Sequence, residues 1–326
     1  MTSILVTGGA GYIGSHVVRQ LGEAGYFPVT YDNASRGDPA QVLYGDFVQG
    51  DLSDRERLRQ TFARYRFAAV LHFAASTVAP ESVEQPLAYY ANNTANTLNL
   101  LSCCQEFGVR QFVFSSTAAV YGTPQTVPVD ESAPLAPINP YGHSKRMSEQ
   151  ILRDCAAAWG LRFVILRYFN VAGADPAGRL GQPSAHALHL IDAACEAAAG
   201  KRDGVSIFGT DYPTRDGTGI RDYIHVEDLA SAHLQALRYL QAGGPSETLN
   251  CGYGRGYTVR EVLRTVKAVA GTNFPVYEAH RRPGDPAAVV AQADRIARVL
   301  DWQPQYDSLE AIVVTALAKG QRLAAA

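Results

Sequence analysis

Residues 4–14 read ILVTGGAGYIG: a short apolar run, three spaced glycines, then a stretch in which Ile13, Val17 and Leu21 recur every four residues. Strand, glycine turn and amphipathic helix in that order constrain the fold more than any other segment. Gly8, Gly11 and Gly14 let the backbone turn tightly, bring amides close to a pyrophosphate and allow close helix packing. The helix N-terminus then faces the phosphates. The next strand candidate, FPVTYD (27–32), ends in Asp32, 18 residues after Gly14. An acid there accepts both hydrogen bonds of an adenosine ribose and repels a 2′-phosphate. The pattern predicts a dinucleotide site that favours NAD over NADP. Arg36 nearby is the counter-argument, unless it is solvated. Asp51 is placed either to bond the adenine amine or to cap the following helix, and the sequence leaves both open.

The alternation continues along the chain. FVQGD (47–51), AAVLHFAA (68–75), QFVFSS (111–116) and RFVILRYFN (162–170) are continuous apolar runs, as in strands covered on both faces of a parallel sheet. Helical patterns lie between them, the longest over 86–107 and 140–159. This predicts an α/β protein with a doubly wound parallel (Rossmann) sheet. After residue 170 the rhythm changes. A loop (171–185), a helix (187–199), a strand (205–209), a polar turn (210–219) and a helix (223–240) follow. TLNCG (248–252) reads as a late strand returning to the large sheet, and the tail from about 253 as part of a smaller mixed α/β lobe. A chain of 326 residues exceeds what one core usually serves. Two domains are expected: 1–170 plus about 222–252 for the dinucleotide, and about 171–221 plus 253–326 for the substrate.

A net charge of −2 with 18% charged residues gives no reason to expect nucleic-acid or membrane binding. Five cysteines without CxxC or metal spacing point to reduced thiols in the cytoplasm, and the start MTSILVTGG lacks the features of a signal peptide. The histidines show no HExxH spacing, so no metal is expected.

PYGHSK (140–145) places Tyr141 one helical turn before Lys145. Bringing a phenol from pKa ~10 to ~7 takes roughly 4 kcal/mol of stabilisation of the phenolate. An ammonium about 5 Å away at an effective dielectric of ~20 supplies roughly 3 kcal/mol. The pair therefore makes a base only beside a positively charged nicotinamide and away from water. Taken alone, it is also compatible with a chance pair on a solvated helix.

It does not stand alone. The glycine turn, SSTAAVYG (115–122) after a strand and YxxxK together resemble the extended short-chain dehydrogenase/reductases. Within them, FSSTAAVYG (114–122), PYGHSK, LRYFN (166–170), GIRDYIHVEDLA (219–230) and RRPGDP (281–286) look like the UDP-galactose 4-epimerase branch, over nearly the whole chain. The resemblance implies one tightly held NAD, contacted by Gly8, Gly11, Tyr12, Ile13, Gly14, Asp32, Asn33, Asp51, Leu52, Phe73, Ala74, Ala75, Thr77, Asn92, Tyr141, Lys145 and Tyr168. It implies that Tyr141 takes the proton of a UDP-sugar's 4-hydroxyl while a hydride leaves the same carbon. Lys145 would bond the nicotinamide ribose. Thr117 would hydrogen-bond the 4-hydroxyl, with Ser116 the neighbouring candidate. On the substrate side it implies Phe169 and Asn170 at the sugar or its phosphate, His189 and Leu190 at phosphate and uridine, and Ser206 and Phe208 at the uracil. Arg221 and Arg282 would clamp the diphosphate and Asp285 would take ribose hydroxyls.

Four departures sharpen the expectation. Ala118 and Ala119 stand where dehydratases and decarboxylases of this family place an acid, which favours epimerisation. Thr117 replaces the usual serine but keeps the hydroxyl. Val289 replaces a bulky tyrosine beside the sugar; this leaves room for a 2-acetamido group, unless a neighbouring side chain fills the space. Thr77 replaces a lysine near the cofactor phosphates, which weakens the case for tight retention. By the same resemblance the helices 86–107 and 140–159 form a homodimer interface, with Tyr89, Leu98 and Leu101 either contacting the partner or serving the chain's own core. A pentose or uronate 4-epimerase, an NAD(P)-dependent reductase and a non-catalytic NAD sensor are the alternatives.

Overall fold

The computed structural model describes residues 1–182, 189–282 and 284–322. Residues 183–185 of the expected loop, 187–188 of the expected helix and Pro283 lie outside the described residues. The strands are β1 (Ser3–Thr7), β2 (Phe27–Asp32), β3 (Asp46–Gln49), β4 (Ala69–His72), β5 (Gln111–Thr117), β6 (Arg162–Tyr168), β7 (Asn170–Ala172), β8 (Val205–Phe208), β9 (Ile220–His225), β10 (Glu247–Cys251), β11 (Gly256–Thr258), β12 (Val276–Ala279) and β13 (Ala288–Val289). Seven of them form one sheet in the order β10-β6-β5-β4-β1-β2-β3, every pair parallel. The late strand does return: Glu247–Cys251 pairs with β6. The order reverses between β1 and β4, and the crevice beyond the strand ends there is where doubly wound sheets bind ligands.

Both faces of the sheet are covered, which is why its strands are apolar throughout. Val17 and Leu21 of the Tyr12–Glu23 helix and Leu229 and Leu237 of the Val226–Gln241 helix pack on one side. Leu58 and Phe62 of the Arg55–Tyr65 helix, with Leu100 and Leu152, pack on the other. Each such fully buried side chain contributes about 2 kcal/mol.

Four boundaries differ from the sequence reading. The run 162–170 breaks at Phe169, and β7 leaves the large sheet to pair with β9. The run 223–240 is not all helix. Residues Ile220–His225 form β9, which also pairs with β11 and β13, and the helix starts at Val226. Its N-cap is His225, whose Nδ1 accepts from the Glu227 amide at 3.1 Å, a cap that ordinary signals do not flag. The expected domain boundary near 222 thus falls inside a strand. The stretch 86–107 is interrupted: a short helix (Pro86–Tyr89), a π-helical segment (Tyr90–Ala95), then Asn96–Glu106. β3 ends at Gln49, so Asp51 sits in the turn beyond it. The smaller lobe packs the helices Leu190–Ala198, Val259–Ala270 and Leu309–Arg322 around Ile191, Val262 and Ile312, beside the paired strands β8 and β12.

Candidate active site

The turn after β1 is built so that only glycine fits. Gly8 has φ +73°, and a β-carbon there would lie 2.5 Å from the Ala74 amide nitrogen. One on Gly14 would lie 2.2 Å from the Gly8 carbonyl oxygen. Gly11 caps the Tyr12–Glu23 helix without a side-chain bond, so the amides of its first turn face the crevice uncapped by any side chain. Asp32 at the tip of β2 accepts from the Ala10 amide at 3.1 Å and the Ala34 amide at 2.9 Å. Burial raises its pKa, and these two amides oppose the rise. Asp51 accepts from the Ser53 amide at 2.8 Å and from Asn33 Nδ2 at 2.7 Å, whereas the cap of the next helix is Asp54. That joins Asn33 and Asp51 and removes the capping role. Arg36 is held by both oxygens of Glu81, at 2.9 and 2.8 Å, and is not simply solvated. A glycine cradle, a free helix N-terminus and a carboxylate at the ribose end fit a dinucleotide without a 2′-phosphate. Phe73, Ala74 and Ala75 follow β4 past Gly8, and Leu52 is buried beneath the Asp51 turn. Tyr12 donates to the Gly173 carbonyl at 2.6 Å, tying the turn to the second lobe. Ile13 packs into the sheet core, Thr77 is exposed, and Asn92 of the π-helical segment donates to Ser76 Oγ at 3.0 Å.

Tyr141 and Lys145 lie on the buried face of the Pro140–Trp159 helix, whose N-cap Asn139 accepts from the Gly142 amide at 2.9 Å. The neighbouring Thr117 hydroxyl favours the phenolate of Tyr141, yet burial outweighs it and holds the Tyr141 pKa above the ordinary value. Lys145 Nζ does not reach for the phenol. It donates to the Ser115 carbonyl at 2.9 Å and sits 4.8 Å over the Phe114 ring. Burial brings its pKa down to about 7, against the pull of Glu149. The protein's own groups thus supply a dry site and an ordered amine, not by themselves a phenolate. Tyr168 accepts from Ser115 Oγ at 3.0 Å. Ser116 is turned away from Tyr141: its hydroxyl donates to Glu149 Oε1 at 2.7 Å, because alternate residues of β5 point to opposite faces.

In the lobe, β9 gathers several of the expected residues. Asn170 pairs in register with Tyr223, and Val289 with Arg221. Arg221 forms an ion pair with Asp285 and donates to the Pro286 carbonyl at 2.8 Å. Arg282 stacks 3.8 Å over the Phe208 ring, and Ser206 lies two residues earlier on β8. Val289 is buried in a cluster with Phe169, Ala118 and Tyr121. His189 is the exposed N-cap of the Leu190–Ala198 helix, and Leu190 packs toward the lobe core. Tyr89 and Leu101, offered as partner contacts, are buried in the chain itself; Tyr89 donates to the Val78 carbonyl at 2.7 Å. Leu98 is exposed.

The sequence reading missed Glu149, Arg167, Tyr121 and Asn250. Arg167 Nη2 meets Glu149 Oε2 at 2.6 Å, its Nη1 donates to the Tyr121 hydroxyl at 3.0 Å, and Tyr121 donates to Asn250 Oδ1 at 2.6 Å. The signal was available: Glu149 follows Lys145 by four on one helix face, and Arg167 interrupts an apolar strand. Among the described residues no cluster of His, Cys, Asp and Glu could hold a metal, and no helix is long and apolar enough to cross a membrane.

A glycine turn at the switch point of a parallel sheet, with a buried tyrosine–lysine helix beside it, defines a nicotinamide-dinucleotide enzyme. Residues 4–252 match the NAD dependent epimerase/dehydratase family, and the chain belongs to it. It is similar to the UDP-glucose 4-epimerase of Azospirillum brasilense, 57% identical over 97% of this chain and 91% of that one. It superposes on the crystal structure of UDP-glucose 4-epimerase from Brucella ovis in complex with NAD with a TM-score of 0.95, at 45% identity and 98% coverage of both chains. The UDP-Glc/GlcNAc 4-epimerase of Campylobacter jejuni matches with a TM-score of 0.87, at 48% identity over 99% of this chain and 100% of that one.

Proposed function

We propose that this protein is a UDP-glucose 4-epimerase, an isomerase that interconverts UDP-glucose and UDP-galactose with NAD as its resident cofactor. One observation carries the reading: Tyr141 is buried beside Thr117, while Ala118 and Ala119 follow where an acid would be needed to expel water. Bound NAD supplies a reversible hydride acceptor. Tyr141 takes the proton of the 4-hydroxyl, and Thr117 orients that hydroxyl and passes the proton. Lys145, anchored on the Ser115 carbonyl, adds positive charge beside the phenol. The 4-keto sugar turns over in the cleft, so that the hydride would return to the opposite face of the same carbon while Tyr141 gives its proton back to the 4-oxygen. The glycine turn with Tyr12, Ile13, Asp32, Asn33 and Asp51 holds the dinucleotide. Arg221, Arg282, Asp285 and Phe208 hold the UDP. Dinucleotide binding belongs to residues 1–170 with the 226–252 return, and nucleotide-sugar binding to the rest.

Incubating the protein with UDP-sugars and no added cofactor, with products read by NMR, tests this. UDP-galactose from UDP-glucose is the expected product. Stoichiometric NAD(P)H consumption, or turnover of a pentose or uronate alone, overturns it. Tyr141→Phe should lower kcat by about 1000-fold; a sensor would keep its function.

A second substrate follows from Val289, a small side chain at the wall shared with Phe169 and Ala118. UDP-N-acetylglucosamine is accepted as well, and the idea fails if the acetylated sugar shows no turnover. The protein works as a homodimer in the cytoplasm. Leu87, 81% exposed, and the exposed Leu98 and Met147 lie on the two segments expected to meet the partner, and the cysteines are free.

A further inference from the structure

A buried polar unit lies directly behind the tyrosine–lysine helix. Glu149 sits one turn after Lys145 and is fully buried. Its Oε1 accepts from Ser116 at 2.7 Å and from Arg167 Nε at 3.0 Å, and its Oε2 accepts from Arg167 Nη2 at 2.6 Å. Arg153, one turn further, reaches Oε2 at 3.3 Å. Arg167 is itself buried and continues to Tyr121 and Asn250. A buried ion pair is a poor source of stability, since two apolar residues of similar volume usually serve as well. What it supplies here is geometry. The unit ties the helix of Tyr141 and Lys145 to the tips of β5, β6 and β10. On β5 it grips Ser116, and the residues on either side are Ser115, whose carbonyl holds Lys145, and Thr117, whose hydroxyl neighbours Tyr141.

We infer that Ser116, Glu149 and Arg167 act as positioning residues for the proposed reaction, fixing the tip of β5 so that Ser115 and Thr117 hold the amine and the phenol in register. This rests on the reading of Tyr141 as the base. Other groups facing Lys145 do not replace the unit. Phe114 offers only its ring, and His72 from β4 is kept neutral by burial while bonded to Thr7 and Thr97. Tyr168 from β6 is bonded to Ser115.

Two charge-conserving variants test the inference. Ser116→Ala removes the grip on β5, and Arg167→Lys keeps the charge but cannot hold both Glu149 oxygens and Tyr121. Each should lower kcat about 10-fold with KM for UDP-glucose within twofold, because the unit lies behind the cleft. The less well held ammonium should also stabilise the phenolate less. The acid limb of the kcat profile then moves to higher pH by about half a unit or more, along with the Tyr141 titration read by ultraviolet difference against the Tyr141→Phe protein. A purely structural role would lower Tm and leave both titrations in place. Should Arg167→Lys not fold, Ser116→Ala decides alone. A folded Ser116→Ala enzyme with kcat within twofold and an unmoved acid limb overturns the inference. So does a loss as large as that of Tyr141→Phe, which would put Ser116 in the proton relay. Retained turnover in Tyr141→Phe would instead sink the reading of the base, which keeps the two failures distinct.

Discussion

The two sides of the cleft are built from different parts of the chain. On the β1 side the surface is backbone: a glycine turn, an uncapped helix start, and one carboxylate already satisfied by two amides. On the β9 side the surface is side chains that are already paired, Arg221 with Asp285 as ions and Arg282 over the Phe208 ring. A backbone site is rigid and fails abruptly when its geometry is disturbed. A side-chain site must exchange partners to bind, and it degrades by degrees.

The largest effect should therefore come from adding one methyl group on the first side. Gly14→Ala would push a β-carbon to 2.2 Å from the Gly8 carbonyl and 2.8 Å from the Gly9 α-carbon, both backbone atoms that cannot swing away. The purified protein should carry no NAD, measured spectrophotometrically after denaturation, and have no activity. An NAD-loaded Gly14→Ala enzyme would mean that the turn is softer than the comparison claims. On the second side, Arg221→Ala removes a forked donor and should raise KM for UDP-glucose by about 30-fold with kcat within a few-fold. Asp285→Ala should cost less, and the double variant should be sub-additive because the two groups touch. Equal losses in kcat would place Arg221 at the chemistry instead.

The same contrast explains what the sequence disclosed. The glycine turn and Asp32 were legible because the requirement is local: a strand, a turn and a helix contiguous in the chain. The large sheet was legible because continuous apolar runs are what burial on both faces demands. The end of β9 was read as helix because Tyr223 and Ile224 are as apolar as the helix that follows, and its strand character comes from partners at Asn170, Tyr257 and Ala288 that lie far away in the chain. The Ser116–Glu149–Arg167 unit was hidden for the same reason. Its members are 18 to 51 positions apart, and only the pairing of β5 with β6 brings Ser116 beside Arg167. Tyr89 and Leu101 were ambiguous because helix periodicity does not say which neighbour an apolar face covers.

A smaller effect concerns Lys145, where stability and function pull apart. Burial holds its pKa near 7, well below the value in an unfolded chain. Between about pH 7 and about pH 10 the unfolded state binds a proton there that the folded state lacks, so this residue makes stability rise with pH across that window. Replacing it removes the cost. Lys145→Met, stripped of cofactor, should melt about 5 °C higher than the stripped parent at pH 7, with the gap closing towards pH 10, while turnover is lost. A lower Tm at pH 7 would show that the bond to the Ser115 carbonyl outweighs the burial of the charge.

The smallest effect is the one that tests the boundary of the backbone site. Arg36 is the only residue of the β2 loop that argued for a 2′-phosphate, and it is committed to Glu81 through both carboxylate oxygens. The Arg36–Glu81 pair is nearly half exposed on the arginine side, so its worth is of the order of 0.5 kcal/mol. Arg36→Ala should leave Tm within about 1–2 °C and leave the ratio of NAD to NADP recovered from the protein unchanged, because the proposed discrimination rests on Asp32. Asp32→Ala, by contrast, should let NADP in. If Arg36→Ala instead lowered the affinity for NADP in the Asp32→Ala background, the arginine would be a latent phosphate ligand that the Asp32 carboxylate and the Glu81 pair keep out of use.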